Sequence, residues 1–135
     1  MRHRSPGRPA RLFIILTLLS AACSTTGDEI RQHQKNLQSL ASTADAIGRA
    51  WLDGAVSGAY ARTALEQTFL LVEQERRGLT STPQMAADPA GGQLADAADH
   101  LARAVAMVRQ QVAAADAGGV RRRLSEMPMR PASPR

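Results

Sequence analysis

The sequence predicts an all-α protein: a small antiparallel three-helix bundle, running up-down-up, that follows an N-terminal segment and precedes a disordered tail. Three observations lead there. Inward positions at Ile30, His33, Leu37, Leu40, Ala44, Ile47 and Trp51 recur in alternating steps of three and four, a heptad seam. A second seam of the same kind runs Leu94, Ala98, Leu101, Val105, Val108, Val112, Ala115. From Ser24 onward no four-residue run alternates apolar with polar as a half-buried strand would, and the strong helix formers alanine and leucine fill the apolar positions.

At the N-terminus, residues 1–11 carry Arg2, Arg4, Arg8 and Arg11 and no acid, and residues 12–22 form an uncharged apolar run ending in the small residues Ser20, Ala21 and Ala22. A basic n-region, an apolar h-region and a small-residue cleavage site read as an export signal. As a helix the run spans about 17 Å, against a hydrocarbon core of about 30 Å, so it is too short for a comfortable membrane span. Leu19-Ser20-Ala21-Ala22-Cys23 resembles the lipobox of bacterial lipoproteins, in which the cysteine thiol takes a diacylglycerol and a dedicated signal peptidase cuts just before it. The match departs at one position, because Ser20 stands where leucine is most frequent.

That resemblance implies a signal peptide over residues 1–22, cleavage between Ala22 and Cys23, lipidation of Cys23, and a short lipidated tether over residues 23–27. The membrane contact would then be the acyl groups on Cys23, and the location the cell envelope. In Gram-negative lipoproteins Asp after the cysteine favours retention at the inner membrane, so Ser24 implies the periplasmic face of the outer membrane. The competing reading is an ordinary secretory signal cut after Ala22, leaving a free cysteine.

Removal of residues 1–22 changes the charge balance. The whole chain has 17 basic and 12 acidic residues, for a net charge of +5. Four of the basic residues leave with the signal, and five more (Arg121, Arg122, Arg123, Arg130 and Arg135) crowd the last sixteen positions. The body over residues 24–120 keeps 8 basic and 11 acidic residues, a balance with no electrostatic footprint for nucleic acid. With one cysteine, no disulfide can form within the chain, so stability must come from helix packing.

The first helix is placed over residues 28–53. Thr26-Gly27-Asp28-Glu29 fits a capping box at its start, and Gly54 stops it by taking a left-handed conformation. Ser57 is the N-cap expected for the second helix, placed over residues 58–77 with Gly78 as its stop. Its inward stripe is read as Tyr60, Ala64, Leu65, Thr68, Leu71, Val72 and Glu75. Phe69 and Leu70 lie off that stripe, which suggests a middle helix with two neighbours. Residues 79–92 form a loop with room for one turn started by Thr82 and Pro83. Asp88 and Pro89 open the third helix, placed over residues 89–117, and Gly118 and Gly119 end it. The bundle proper is thus residues 28–119. Residues 120–135, basic and holding three prolines, read as a disordered tail.

Chemistry-bearing residues are few. His33 is the one ionisable group on the first seam; an imidazole there could ligate a metal, but no convergent partner is spaced to help it. Asp96 and His100 stand four apart on the third helix and suit a salt bridge. Met127 and Met129, with Met85 and Met107 elsewhere, are a thin basis for a copper(I) site. No serine, threonine or cysteine stands in a nucleophile context, and Gly48, Gly54 and Gly58 form no phosphate cradle. The sequence therefore predicts no enzyme, no cofactor and no metal site. It predicts a lipid-anchored interaction module that meets an envelope protein partner, or another copy of itself, through apolar surface around Trp51, Tyr60 and Phe69. Arg121, Arg122 and Arg123 are the candidate contact with anionic lipid headgroups. A helical bundle holding a small ligand or metal is the alternative.

Overall fold

The computed structural model describes the backbone of residues 10–129 and the side chains of residues 25–129. Five helices follow one another with no strand among the described residues: α1 Ala10–Leu52, α2 Gly58–Thr80, α3 Pro83–Ala87, α4 Pro89–Ala113 and α5 Ala117–Ser125. The all-α expectation holds, but the element count is five rather than three, and the two additional short helices complete the core.

α1 is longer than the sequence pattern indicates. It passes through residues 26–29 without a break, so Thr26 does not serve as its N-cap and residues 23–27 are helical. The neighbouring turns supply their own hydrogen-bond acceptors, and a capping signal inside a continuing helix goes unused. Asp28 instead pairs with Arg31 one turn on. The C-terminal end is as expected. Gly54 has φ +72°, its N–H donates to Trp51 O, and the Ala55 N–H donates to Ala50 O, the two bonds of a Schellman cap.

Antiparallel α1 and α2 meet at both ends. His33 of α1 reaches Glu75 near the end of α2, and Trp51 lies against Gly58 at its start. α4 runs antiparallel to α2, with Arg109 near its C-terminus paired to Glu66 in the first half of α2. α2 packs against both α1 and α4, as the middle helix the sequence suggests, while α4 carries the largest buried set. Leu94, Ala98, Leu101, Ala102, Ala104, Val105, Val108 and Val112 are all buried on it, including every member of the predicted seam except Ala115. Ala115 is exposed at φ +53°, in the turn that ends α4 four residues earlier than the sequence suggests.

Several further differences follow from the segment after residue 116. Asp116 caps α5 by accepting from the Gly119 N–H at 2.8 Å, so Gly118 and Gly119 begin a helix instead of ending one. α5 then folds back along α4 and α1 and buries Val120 and Leu124, followed by Met127. Residues 120–129 are therefore packed structure, which corrects the expectation of a disordered tail there; residues 130–135 lie outside the described residues. The consequence on α1 is a wider stripe. Ile30, Leu37 and Ala44 are buried as expected and Leu40, Ile47 and Trp51 are half-buried against the core, while Ala41 and Gly48 are buried in addition; Leu124 packs beside Gly48, where an added Cβ would lie 2.8 Å from its Cδ1. A small residue at 48 lets the two backbones approach, and its value is invisible until α5 is in place.

α2 starts as expected, with the Tyr60 N–H donating to Ser57 Oγ at 3.2 Å, but runs through Gly78 to Thr80. Its buried row is Ala61, Leu65, Thr68, Val72 and Leu79, so Leu65, Thr68 and Val72 of the predicted stripe face inward, whereas Tyr60 and Leu71 are exposed and Ala61 takes the inward place beside Tyr60. The Thr68 hydroxyl, buried in this row, donates to Ala64 O at 2.9 Å. The turn anticipated at Thr82 and Pro83 is α3, whose Met85 closes the end of the core beside Ile30 and Gly91. Asp88 caps α4 through the Ala90 N–H at 2.8 Å, with Pro89 at the first helical position.

Candidate functional site

Ala22 and Cys23 fall on the helical backbone of α1, ahead of the residues whose side chains are described, and residues 1–9 lie outside the described residues. Among the described residues no helix is long and apolar enough to cross a membrane. Cys23 is seven residues, or about 10 Å of helix, from Ile30, where the buried core of α1 begins. Any group carried on Cys23 is thus joined to the packed body by continuous helix.

His33 and Glu75 both sit at heptad positions facing each other across α1 and α2. His33 Nδ1 and Glu75 Oε2 are 2.5 Å apart, Asn36 Nδ2 donates to Glu75 Oε1 at 3.1 Å, and both charged-type side chains are about four-fifths buried, at 22% and 18% exposure. The ring lies flat enough against α2 that a methyl group at Gly78 would stand 2.7 Å from His33 Cε1. Both carboxylate oxygens of Glu75 are bonded and the imidazole is packed against backbone. The cluster fixes the register of α1 on α2, and among the described residues no group of three or more His, Cys, Asp or Glu side chains converges as a metal site would. Sequence reasoning placed His33 and Glu75 each on an inward stripe without pairing them; the signal available was two polar residues in otherwise apolar rows.

The predicted interaction residues are not brought together. Trp51 and Phe69 are half-buried and pack on the core, while Tyr60 is 60% exposed. Tyr60 and Phe69 are nine residues apart, about 180° around the helix at about 100° per residue, so they occupy opposite sides of α2. What does cluster is a different set. Tyr60, Leu70 (46% exposed) and Leu71 (49% exposed) share the outward side of α2 with Thr63, Gln67 and Gln74. Leu70 and Leu71 are the members that sequence reading missed, because Leu71 was assigned inward.

On α4, Asp99 rather than Asp96 holds a basic partner, pairing with Arg103, and His100 is exposed. His100, Arg103 and Met107 line a groove of about 270 Å³ whose other wall is Arg123, Glu126 and Pro128. Arg123 pairs with Glu126 at 3.3 Å, whereas Arg121 and Arg122 point outward from α5. Leu124 packs beside Gly48, which is 25 residues and about 38 Å of helix beyond Cys23, so the arginine cluster sits far along the body from that cysteine. Of the methionines, Met85 and Met127 are buried at different places and Met107 is exposed.

Elsewhere the surface is laced with short-range pairs. Glu73 is held below the usual carboxylate range, chiefly by the hydrogen bonds it accepts from Arg76, and Arg76 is raised by the same contact. Arg49 is raised by its hydrogen bond to Asp45. These are solvated pairs along single helices. No protein-family model, curated protein or solved structure matches the chain.

Proposed function

We propose that the chain is an envelope lipoprotein, cut before Cys23 and acylated on it, whose helical body is a non-catalytic interaction module. The observation that carries this reading is the order along residues 1–23: four arginines, eleven uncharged apolar or small residues, and then the single cysteine. The continuous α1 supports it, since a lipid on Cys23 would hold the body at a fixed short distance from the bilayer, as a presenting scaffold requires. The three long helices are the bundle, α3 plugs one end, and α5 fills the groove between α1 and α4. In a Gram-negative cell, Ser24 favours the outer membrane.

Metabolic labelling with a fatty acid is the test. Wild-type protein should take up label, and Cys23→Ala should lose it and accumulate as uncut precursor. Label on the Ala variant, or its absence from the wild type, overturns the reading.

A further inference from the structure

We propose that the outward face of α2 pairs with the same face of a second copy of this chain, antiparallel, about a twofold axis passing between Leu70 and Leu71. This deepens the interaction-module reading by naming the partner, and it is measured without the lipid, so that either can fail alone. Three of the four large hydrophobic residues exposed in the described structure (Tyr60, Leu70 and Leu71) lie on this one face. The fourth, Met107, is on α4.

The middle of the face is also uncharged, the exposed Arg77 coming one heptad beyond Leu70 and away from the axis. From Tyr60 to Gln74, about 21 Å of helix, the outward residues Thr63, Gln67, Leu70, Leu71 and Gln74 bring no ionisable group. The exposed sides of the other long helices differ, with Arg31, Lys35 and Arg49 on α1 and Asp96, Arg103 and Arg109 on α4. A twofold interface places each residue near its own symmetry copies, so a charge near the axis meets a like charge. Only an uncharged face escapes that repulsion. Glutamine goes further, because its amide carries both donor and acceptor and two identical side chains can satisfy each other.

One register uses all of this. With the axis between residues 70 and 71, Leu70 meets Leu71 of the second copy, Gln67 meets its Gln74, and Tyr60 lies level with Ser81 at the end of its α2. The strip is about 21 Å by about 10 Å, below the roughly 800 Å² per partner of a standard interface, so the pairing is weak and grows with concentration. Confinement to a membrane surface raises that concentration.

The test uses the full chain in detergent micelles with Cys23→Ser, so that no other thiol is present, and Leu71→Asp as the matched control for association through residues 12–23. Sedimentation up to about 1 mM should show a reversible dimer that Leu71→Asp lacks while keeping the same helical circular dichroism. Mild oxidation of a mixture of Gln67→Cys and Gln74→Cys chains should then give the mixed disulfide. Gln67→Cys alone should give little, since its own symmetry copy lies about 10 Å away along the axis, beyond the roughly 7 Å Cα limit for a disulfide. A monomer at every concentration, equal dimerisation of Leu71→Asp, or self-linking of Gln67→Cys in preference to the mixed product overturns the proposal. Recovery of the monomeric chain with a different protein held through Leu71 overturns it too.

Discussion

The two long faces of α2 are built from neighbouring residues and differ in almost everything else. The inner row (Ala61, Leu65, Thr68, Val72, Leu79) is buried against α1 and α4, and the outer row (Tyr60, Gln67, Leu70, Leu71, Gln74) meets solvent. In sequence the two are hard to separate, because apolar residues come in adjacent pairs at 60/61, 64/65 and 71/72. Helical periodicity shows that an apolar stripe exists; which member of each pair faces in depends on where the neighbouring helices lie. α4 carries less of the ambiguity, since its leucines and valines all fall inside one sector and are buried, and Met107 is its one exposed large apolar residue. The second seam was therefore readable almost residue by residue, while on α2 Leu65, Thr68 and Val72 were read correctly and Tyr60 and Leu71 were not.

Substitutions in the core should separate inside from outside most sharply. Leu101→Asp places an unpartnered charge at the fully buried middle of α4 and should cost several kcal/mol, enough to abolish cooperative unfolding in a circular-dichroism melt. Next in size is removal of α5. Deleting residues 117–135 exposes the pockets of Val120, Leu124 and Met127, and at about 1.5–3 kcal/mol for each large buried side chain the melting temperature should fall by well over 10 °C. A truncated protein that melts like the intact one would mean that α5 adds nothing to the core.

Smaller is the effect at the His33 and Glu75 contact. Glu75→Ala leaves a half-buried imidazole and Asn36 without their acceptor and should cost about 1–3 kcal/mol in urea denaturation, while Gln74→Ala one residue away on the outer row should be near zero. The smallest effect belongs to Glu73. Its carboxyl is lowered in the folded protein, so its contribution is present above the ordinary value of 4.5 and is lost as pH falls through the folded-state value. Glu73→Gln should therefore differ slightly from wild type in stability at neutral pH and converge with it on acidification; a gap that widens in acid would reverse the assigned sign.

How much could be read beforehand follows from the same physics. Caps at Ser57, Thr82 and Asp88 and the stop at Gly54 are local, involving residues within a turn of one another, and each was legible. α5 was not. VRRRLSEM offers three apolar residues, Val120, Leu124 and Met127, among three arginines, and the place for Leu124 is made by Gly48 on a helix far earlier in the chain. The proposed export and lipidation rest on the sequence alone, while the exposed face of α2 required knowing what the other side of the helix touches.

The most direct measurement compares two adjacent residues. Leu71 is 49% exposed and Val72 is fully buried, so Leu71→Asp and Val72→Asp place the same charge one residue apart on opposite sides of the division. In parallel thermal melts, Leu71→Asp should keep the wild-type transition within a few degrees and Val72→Asp should lose it, the cost of burying a lone carboxylate. Equal losses in both variants, or a stable Val72→Asp beside an unfolded Leu71→Asp, would contradict the assignment of the inner and outer faces of α2.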